Sequence, residues 1–257
     1  METKEKNSSF KELLYTCRWY IVNKLEPGTM QNMLFQLVSL LIGDGREVHD
    51  LRPFEPEAPK PSPDHGDHGL HLCFIRGHTA NSGGAYGVSP INASEYVFYR
   101  DQVEPRLKKY CDRLGVKSLF VTRDGHGMGG AARTANNWAK GKTKRTIELH
   151  FNAANKTASG TCTLYDTREP RNRLFAEEIQ EAMVGVMKLR DRGLIKRDTG
   201  RGAYNLKAVD HTSCLIEPFF GDNREDAKRA VGNIDALAKA LVLASVNSAK
   251  REKNLKS

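Results

Sequence analysis

The sequence predicts an α/β domain, a three-layer arrangement in which a twisted, mostly parallel sheet carries helices on both faces, preceded by a small helical N-terminal extension. Three observations predict it. From residue 70 onward, short strand-like runs alternate with longer stretches of helical period, the order that builds parallel sheets. The first and last of those runs, residues 70–75 and 213–218, are apolar nearly throughout, as buried strands are. At 257 residues and 39% hydrophobic content, the chain can bury one sizeable core with a small appendage.

Two helical patterns come first, within residues 1–50. Ser9 suits an N-cap, and Phe10, Leu13, Leu14, Cys17, Tyr20 and Ile21 recur at spacings of three and four before Pro27-Gly28 breaks the run. Met30, Met33, Leu34, Leu37, Val38 and Leu41 repeat the pattern until Gly43-Asp44-Gly45. Residues 51–69 carry five prolines and no helical period, so they read as a semi-extended linker. The main domain is then residues 70–248: strand 70–75, helix 94–114, strand 116–122, helix 131–139, strand 146–151, strand 161–165, helix 171–189, strand 213–218 and helix 226–246. A basic tail, residues 249–257, follows.

Composition narrows the setting. Five cysteines are scattered and never spaced C-x-x-C, so neither a disulfide framework nor a cysteine zinc site is indicated, and a reducing cytoplasm is expected. METKEKNSSF is mixed in charge and lacks the basic-then-apolar order of a secretory signal. The longest apolar run, residues 33–42, is well short of the roughly 20 residues a bilayer requires. The formal charge is +9, and residues 1–70 hold eight Lys/Arg against eleven Asp/Glu, so the cationic excess belongs to the rest of the chain. Such a surface attracts a nucleic acid, an anionic membrane or an acidic wall polymer, or simply keeps the protein soluble.

In a parallel sheet the chemistry gathers at the carboxyl ends of the strands. His78 follows the first strand and precedes a Gly/Ser/Asn-rich loop. His150 ends the 146–151 strand and Glu217 ends the 213–218 strand, while Glu95 opens the first long helix, where the helix dipole alone would also favour a carboxylate. Glu217 sits in the apolar run CLIEPFF, an environment that is costly for a carboxylate unless it is paired, metal-bound or used as a general acid/base. Two histidines and one carboxylate converging from separate elements make a three-ligand zinc set with a fourth position open to water. His126, in DGHGMGG, lacks the G-K-[ST] ending of a phosphate loop. His211 and Cys214 read as structural, and the 140–145 cluster KGKTKR reads as solvated charge.

These residues carry a resemblance. FIRGHTANSGGAYG with Glu95 downstream, then TRDGHGMGGAARTANNWA, IELHFNAA, RGLIKRD and LIEPFFGDNREDA resemble, in order, the zinc-dependent N-acetylmuramoyl-L-alanine amidases of the third amidase family, which include many phage endolysins. The resemblance implies that His78, Glu95 and His150 bind one zinc ion and that Glu217 is the catalytic acid/base. It also implies that Arg133 and Asn136 support the metal face and that Asn152 forms a turn beside it. The substrate would be peptidoglycan, cleaved between N-acetylmuramic acid and L-alanine. The expected setting is cytoplasmic synthesis, action on the wall after release, electrostatic attraction to anionic wall polymers or membrane, and no specific nucleic acid.

There are two departures. The family's Gly-His-Gly-Gly is lengthened to Gly-His-Thr-Ala-Asn-Ser-Gly-Gly, which would reshape the cleft rim. Phe219 stands where glycine is usual after the catalytic glutamate. Two other readings stay open from sequence: a nucleic-acid or anionic-polymer binding module, and an inactive wall-binding protein on the same fold.

Overall fold

The structure is a computed structural model that describes residues 69–200 and 202–254; the expected helical extension and nearly all of the proline-rich linker lie outside these residues. Six strands, β1 (Leu70–Arg76), β4 (Lys117–Val121), β5 (Thr143–Leu149), β6 (Thr161–Tyr165), β7 (Asp191–Lys196) and β8 (Ser213–Glu217), form one sheet in the order β4-β1-β5-β8-β6-β7. Two short strands, β2 (Tyr86–Gly87) and β3 (Ala93–Ser94), pair antiparallel beside it. β4, β1, β5 and β8 run parallel, whereas β6 is antiparallel to β8 and carries β7 parallel to itself. The carboxyl ends of four strands therefore meet at one edge.

The strand at the centre of this half explains its own composition. Leu70, Leu72 and Phe74 of β1 enter the larger core, and Cys73 and Ile75 enter a smaller core on the opposite face. Successive side chains point to opposite faces, so a strand covered on both sides must be apolar throughout. Burying side chains of this size stabilises the fold by about 1.5–3 kcal/mol each.

Helices cover both faces. One turn of α1 (Glu95–Phe98), a π-helical turn (Tyr99–Val103) and α2 (Glu104–Arg113) fill the span expected as one helix, capped by the Ser94 hydroxyl accepting from the Val97 N–H at 3.4 Å. With α4 (Pro170–Met187) and α6 (Arg224–Asn254) they enclose the larger core through Tyr99, Leu107, Phe175, Met183, Leu237 and Leu241. On the other face, α3 (Gly127–Asn137) brings Ala131, Ala132 and Ala135 against Cys73 and Ile75. Alanines at that spacing let a short helix lie close to the sheet. α5 (Ala203–Ala208) adds Leu206 over Leu164 and Leu215.

Three elements differ from expectation. β7 is an edge strand with Gly193 at φ 74° and a register shift against β6, so its sequence shows no alternation. α5 has six residues, too few to show a helical period. The last helix continues through Asn254, past the expected start of a tail, because Ala249 is buried and Glu252 pairs with Arg145 and Arg171 at 2.6 and 2.7 Å. Arg145 is thereby a buried ion-pair partner, not solvated charge as its KGKTKR setting suggested. By length and composition Arg224–Glu252 could cross a membrane, and half of its most apolar window is buried against the core.

Candidate active site

The backbone leaves β1 at Arg76 and turns sharply. Gly77 donates its N–H to the Leu149 carbonyl at 3.0 Å, and His78 adopts φ 65°, a left-handed conformation uncommon outside glycine. This turn directs the His78 ring back over the sheet edge, where it meets the His150 ring edge-on with centroids 4.8 Å apart. Glu95 lies between them, its first oxygen 3.3 Å from His78 Nε2 and its second 3.0 Å from His150 Nδ1. One ligand atom from each of the three residues falls within 4.8 Å of the other two.

Glu95 is 4% exposed, and the backbone meets the cost of burying it. The Ala85 N–H donates to one oxygen at 3.0 Å and the Phe151 N–H to the other at 3.1 Å. Burial pushes its pKa up, but hydrogen bonds from His150 and His78 outweigh burial and hold the carboxyl at about 2. Gly84, at φ 82°, closes the cradle: a Cβ there would lie 2.6 Å from His78 Nε2 and 2.8 Å from a Glu95 oxygen. A Cβ on Gly77 would lie 2.4 Å from the His150 ring. Two imidazoles and a carboxylate with clustered donor atoms are the chemistry of a zinc site, and the residues present fit that ion.

Glu217 ends β8, next to β5. Leu149 pairs in register with Ile216, and the His150 N–H donates to the Ile216 carbonyl at 3.2 Å, so Glu217 emerges beside His150. The side chain is half-buried rather than enclosed by its apolar neighbours. Strand alternation explains this, since Ile216 turns into the core and Glu217 turns away from it. Its Oε2 accepts from Asn152 Nδ2 at 2.7 Å and from the Cys162 thiol at 3.3 Å. Burial, then the neighbouring Glu217 carboxylate, push that thiol up to about 12, which keeps it a donor. Among the described residues, no hydrogen bond occupies Oε1. Asn152 is thus more than the expected turn-former, because it fixes the glutamate.

Residues not picked out from sequence support the cluster. Asp124, just past β4, accepts from the Ala80 N–H at 2.7 Å and from the Tyr96 and Thr122 hydroxyls at 2.5 Å each. The lengthened loop after His78 is therefore anchored to the end of β4. The Tyr99 hydroxyl donates to the His150 carbonyl at 2.5 Å. On the far edge of the His150 ring, Glu148 Oε1 lies 2.8 Å from Nε2. The usable signal for Asp124 was the same strand-end rule that found the histidines.

One expectation is corrected. Arg133 is exposed on α3, and Asn136 joins the end of that helix to the turn before β8, donating to the Ala208 carbonyl at 3.0 Å and accepting from the Asp210 N–H at 3.1 Å. Neither supports the metal face, because the alanine stripe of α3 is the side that meets the sheet. Phe219 is buried at 0% exposure against Phe98 and Phe151, so its ring belongs to the core. His126 precedes α3, and its ring lies over Gly130, where a Cβ would approach to 2.4 Å. His211 is structural, bridging Thr146 at 2.7 Å and Asp210 at 2.9 Å.

The sheet order and the clustered donors define an α/β domain with a His-Glu-His cluster at the edge where its parallel strands end. The sequence profile described as N-acetylmuramoyl-L-alanine amidase matches residues 73–245, more than half of the chain, and the chain belongs to that family of peptidoglycan amidases. Solved structures share the fold. The catalytic domain of the CD27L endolysin targeting Clostridia difficile is 24% identical with a TM-score of 0.57, over 69% of this chain and 97% of that one. An amidase from Clostridium difficile 630 is 20% identical with a TM-score of 0.58, over 74% and 100%. AmiC2 of Nostoc punctiforme is 17% identical with a TM-score of 0.59, over 72% and 100%. No curated protein sequence matches the chain.

Proposed function

We propose that this amidase is zinc-dependent and hydrolyses the amide between the lactyl group of N-acetylmuramic acid and L-alanine, with His78, Glu95 and His150 holding the ion and Glu217 moving the proton. The observation that carries the reading is the placement of three ligand atoms within 4.8 Å of one another at the edge where Glu217 also emerges. When bound, zinc supplies Lewis acidity, polarising the scissile carbonyl and making water a usable nucleophile near neutral pH.

The chain's own residues do the rest. Glu217 Oε1 takes the proton from the attacking water and returns it to the departing L-alanine nitrogen, so one carboxylate is base and then acid. Asn152 and Cys162 hold the other oxygen, which leaves Oε1 for the proton. Glu95 keeps its negative charge through its backbone donors and offsets the charge of the cation.

The context we propose is that of an endolysin: synthesis in the cytoplasm, then access to the wall when the membrane is opened, with the cationic surface favouring anionic wall polymers. The net charge of +9 supports the attraction to anionic wall polymers. Incubating purified protein with peptidoglycan and identifying the new ends by mass spectrometry tests the reaction. Free N-terminal L-alanine on released stem peptides is the expected product, and new reducing sugar ends without it would overturn the assignment. Cell fractionation tests the context, and export without membrane opening would remove it.

A further inference from the structure

We propose that Glu148 is a positioning residue that fixes His150 in the orientation and tautomer in which Nδ1 is its ligand nitrogen. The inference rests on the reading that His78, Glu95 and His150 hold zinc.

Glu148 and His150 are two residues apart on β5, so their side chains leave the same face of the strand. Ile147 and Leu149, between and beside them, go into the larger core on the opposite face. The Glu148 side chain is 4% exposed, and its Oε1 lies 2.8 Å from His150 Nε2. Asn205 Nδ2, from α5, donates to the same oxygen at 2.7 Å, and the Arg123 guanidinium pairs with it. A carboxylate this deeply buried is tolerable only when charged and polar partners surround it, and these two supply them.

An ionised carboxylate only accepts, so its 2.8 Å contact at Nε2 favours the imidazole proton there over the longer 3.4 Å approach of Arg123 Nη2, which only donates. With an ion held at Nδ1, that nitrogen keeps its lone pair for the ion, in place of the hydrogen bond it makes to Glu95 without metal. It faces Glu95 Oε2 at 3.0 Å, the side on which His78 lies. The ring cannot choose another orientation cheaply. Its two nitrogens are each engaged by a different glutamate, Tyr99 holds its backbone carbonyl at 2.5 Å, and Gly77 lies against its edge, where a Cβ would come within 2.7 Å of Nδ1. Ligating histidines commonly donate their second N–H to a carboxylate in this way, and loss of that partner costs about 10- to 100-fold in metal affinity or activity.

The same contacts exclude Glu148 as the proton-transferring group. Its Oε1 already serves Arg123, Asn205 and His150, and it lies on the ring edge remote from Glu95. Glu217, with one oxygen clear of donors among the described residues, is the available base.

The test uses the full chain and metal alone. Zinc affinity is measured by chelator competition for wild type, Glu148→Gln and Asn205→Ala, with circular dichroism to confirm folding. Ring-nitrogen shifts are recorded on 15N-histidine protein loaded with 113Cd. The expected result is coordination through Nδ1 of His150, a loss of zinc affinity of about 10-fold or more in Glu148→Gln and a smaller loss in Asn205→Ala. A folded Glu148→Gln that binds zinc within twofold of wild type would overturn the proposal, as would coordination of His150 through Nε2. The nitrogen assignment is made on wild type, so it decides the matter even if Glu148→Gln fails to fold. Wild type that binds neither metal would sink the zinc reading itself, a different failure from wild type that binds while Glu148→Gln is unchanged.

Discussion

Asn152 joins the ends of two parallel strands by donating from Nδ2 to Glu217 Oε2 at 2.7 Å. Its backbone is held by the same neighbour, with its N–H on the Phe219 carbonyl and its own carbonyl accepting from the Gly221 N–H, both at 2.8 Å. A hydrogen bond to a charged group contributes about 1.5–3 kcal/mol. Asn152→Ala is therefore expected to lower kcat by about 10- to 100-fold with bound zinc unchanged. Steady-state kinetics beside metal content check it, and unchanged kcat would show that Glu217 needs no such restraint.

Gly84 tests the cradle. At φ 82°, with a Cβ position 2.5 Å from the His78 ring, alanine must displace a histidine or the loop. Gly84→Ala is expected to weaken zinc binding at least tenfold while the far-UV spectrum stays native. A variant that binds zinc as wild type does would mean that the loop relaxes without moving His78.

Glu95 makes acid sensitivity predictable in sign. Its folded pKa is about 2 against an ordinary 4.5, so the stability it contributes is fully present above about pH 4.5 and is lost as pH falls through 2. In the metal-free protein, the stability difference between wild type and Glu95→Gln should shrink across that window. Urea midpoints at several pH values measure this, and a pH-independent difference would contradict the assigned pairing.

Phe219 links the core to the site. Its ring is fully buried, with centroids 5.7 Å from Phe98 and 5.2 Å from Phe151. Phe219→Ala is expected to cost about 3–5 kcal/mol of stability. Denaturant unfolding checks the magnitude, and a loss below about 1 kcal/mol would mean that the cavity collapses or fills.

The cationic surface gives a salt dependence. Attraction between exposed charges is screened as the Debye length falls from about 10 Å at 0.1 M to about 3 Å at 1 M ionic strength. Lysis of intact walls should weaken steeply over that range while cleavage of a small soluble substrate changes little. Parallel losses on both substrates would remove the wall-attraction idea.

The alternation of strands and helices and the three strand-end residues were legible because each depends on a local pattern. β1 and β8 announce themselves by burial on both faces, and His78, His150 and Glu217 follow directly from where such strands stop. Support of the cluster was not legible in the same way. Asp124 reaches Ala80 across 44 residues and Asn205 reaches Glu148 across 57, so neither partnership leaves a trace in sequence spacing. Glu148 did leave one, lying two residues before His150 on the same strand face. Arg133 and Asn136 were misplaced because motif order locates a helix but not the face it turns toward the sheet.

The division of labour between the metal-holding residues and the proton carrier is tested most directly by measuring zinc content and peptidoglycan turnover together in His150→Ala and Glu217→Gln. His150→Ala should lose both zinc and turnover, and Glu217→Gln should retain one zinc per chain while turnover falls by about 100-fold or more. A Glu217→Gln protein that loses its zinc, or one that keeps wild-type turnover, would contradict the assignment of roles at this site.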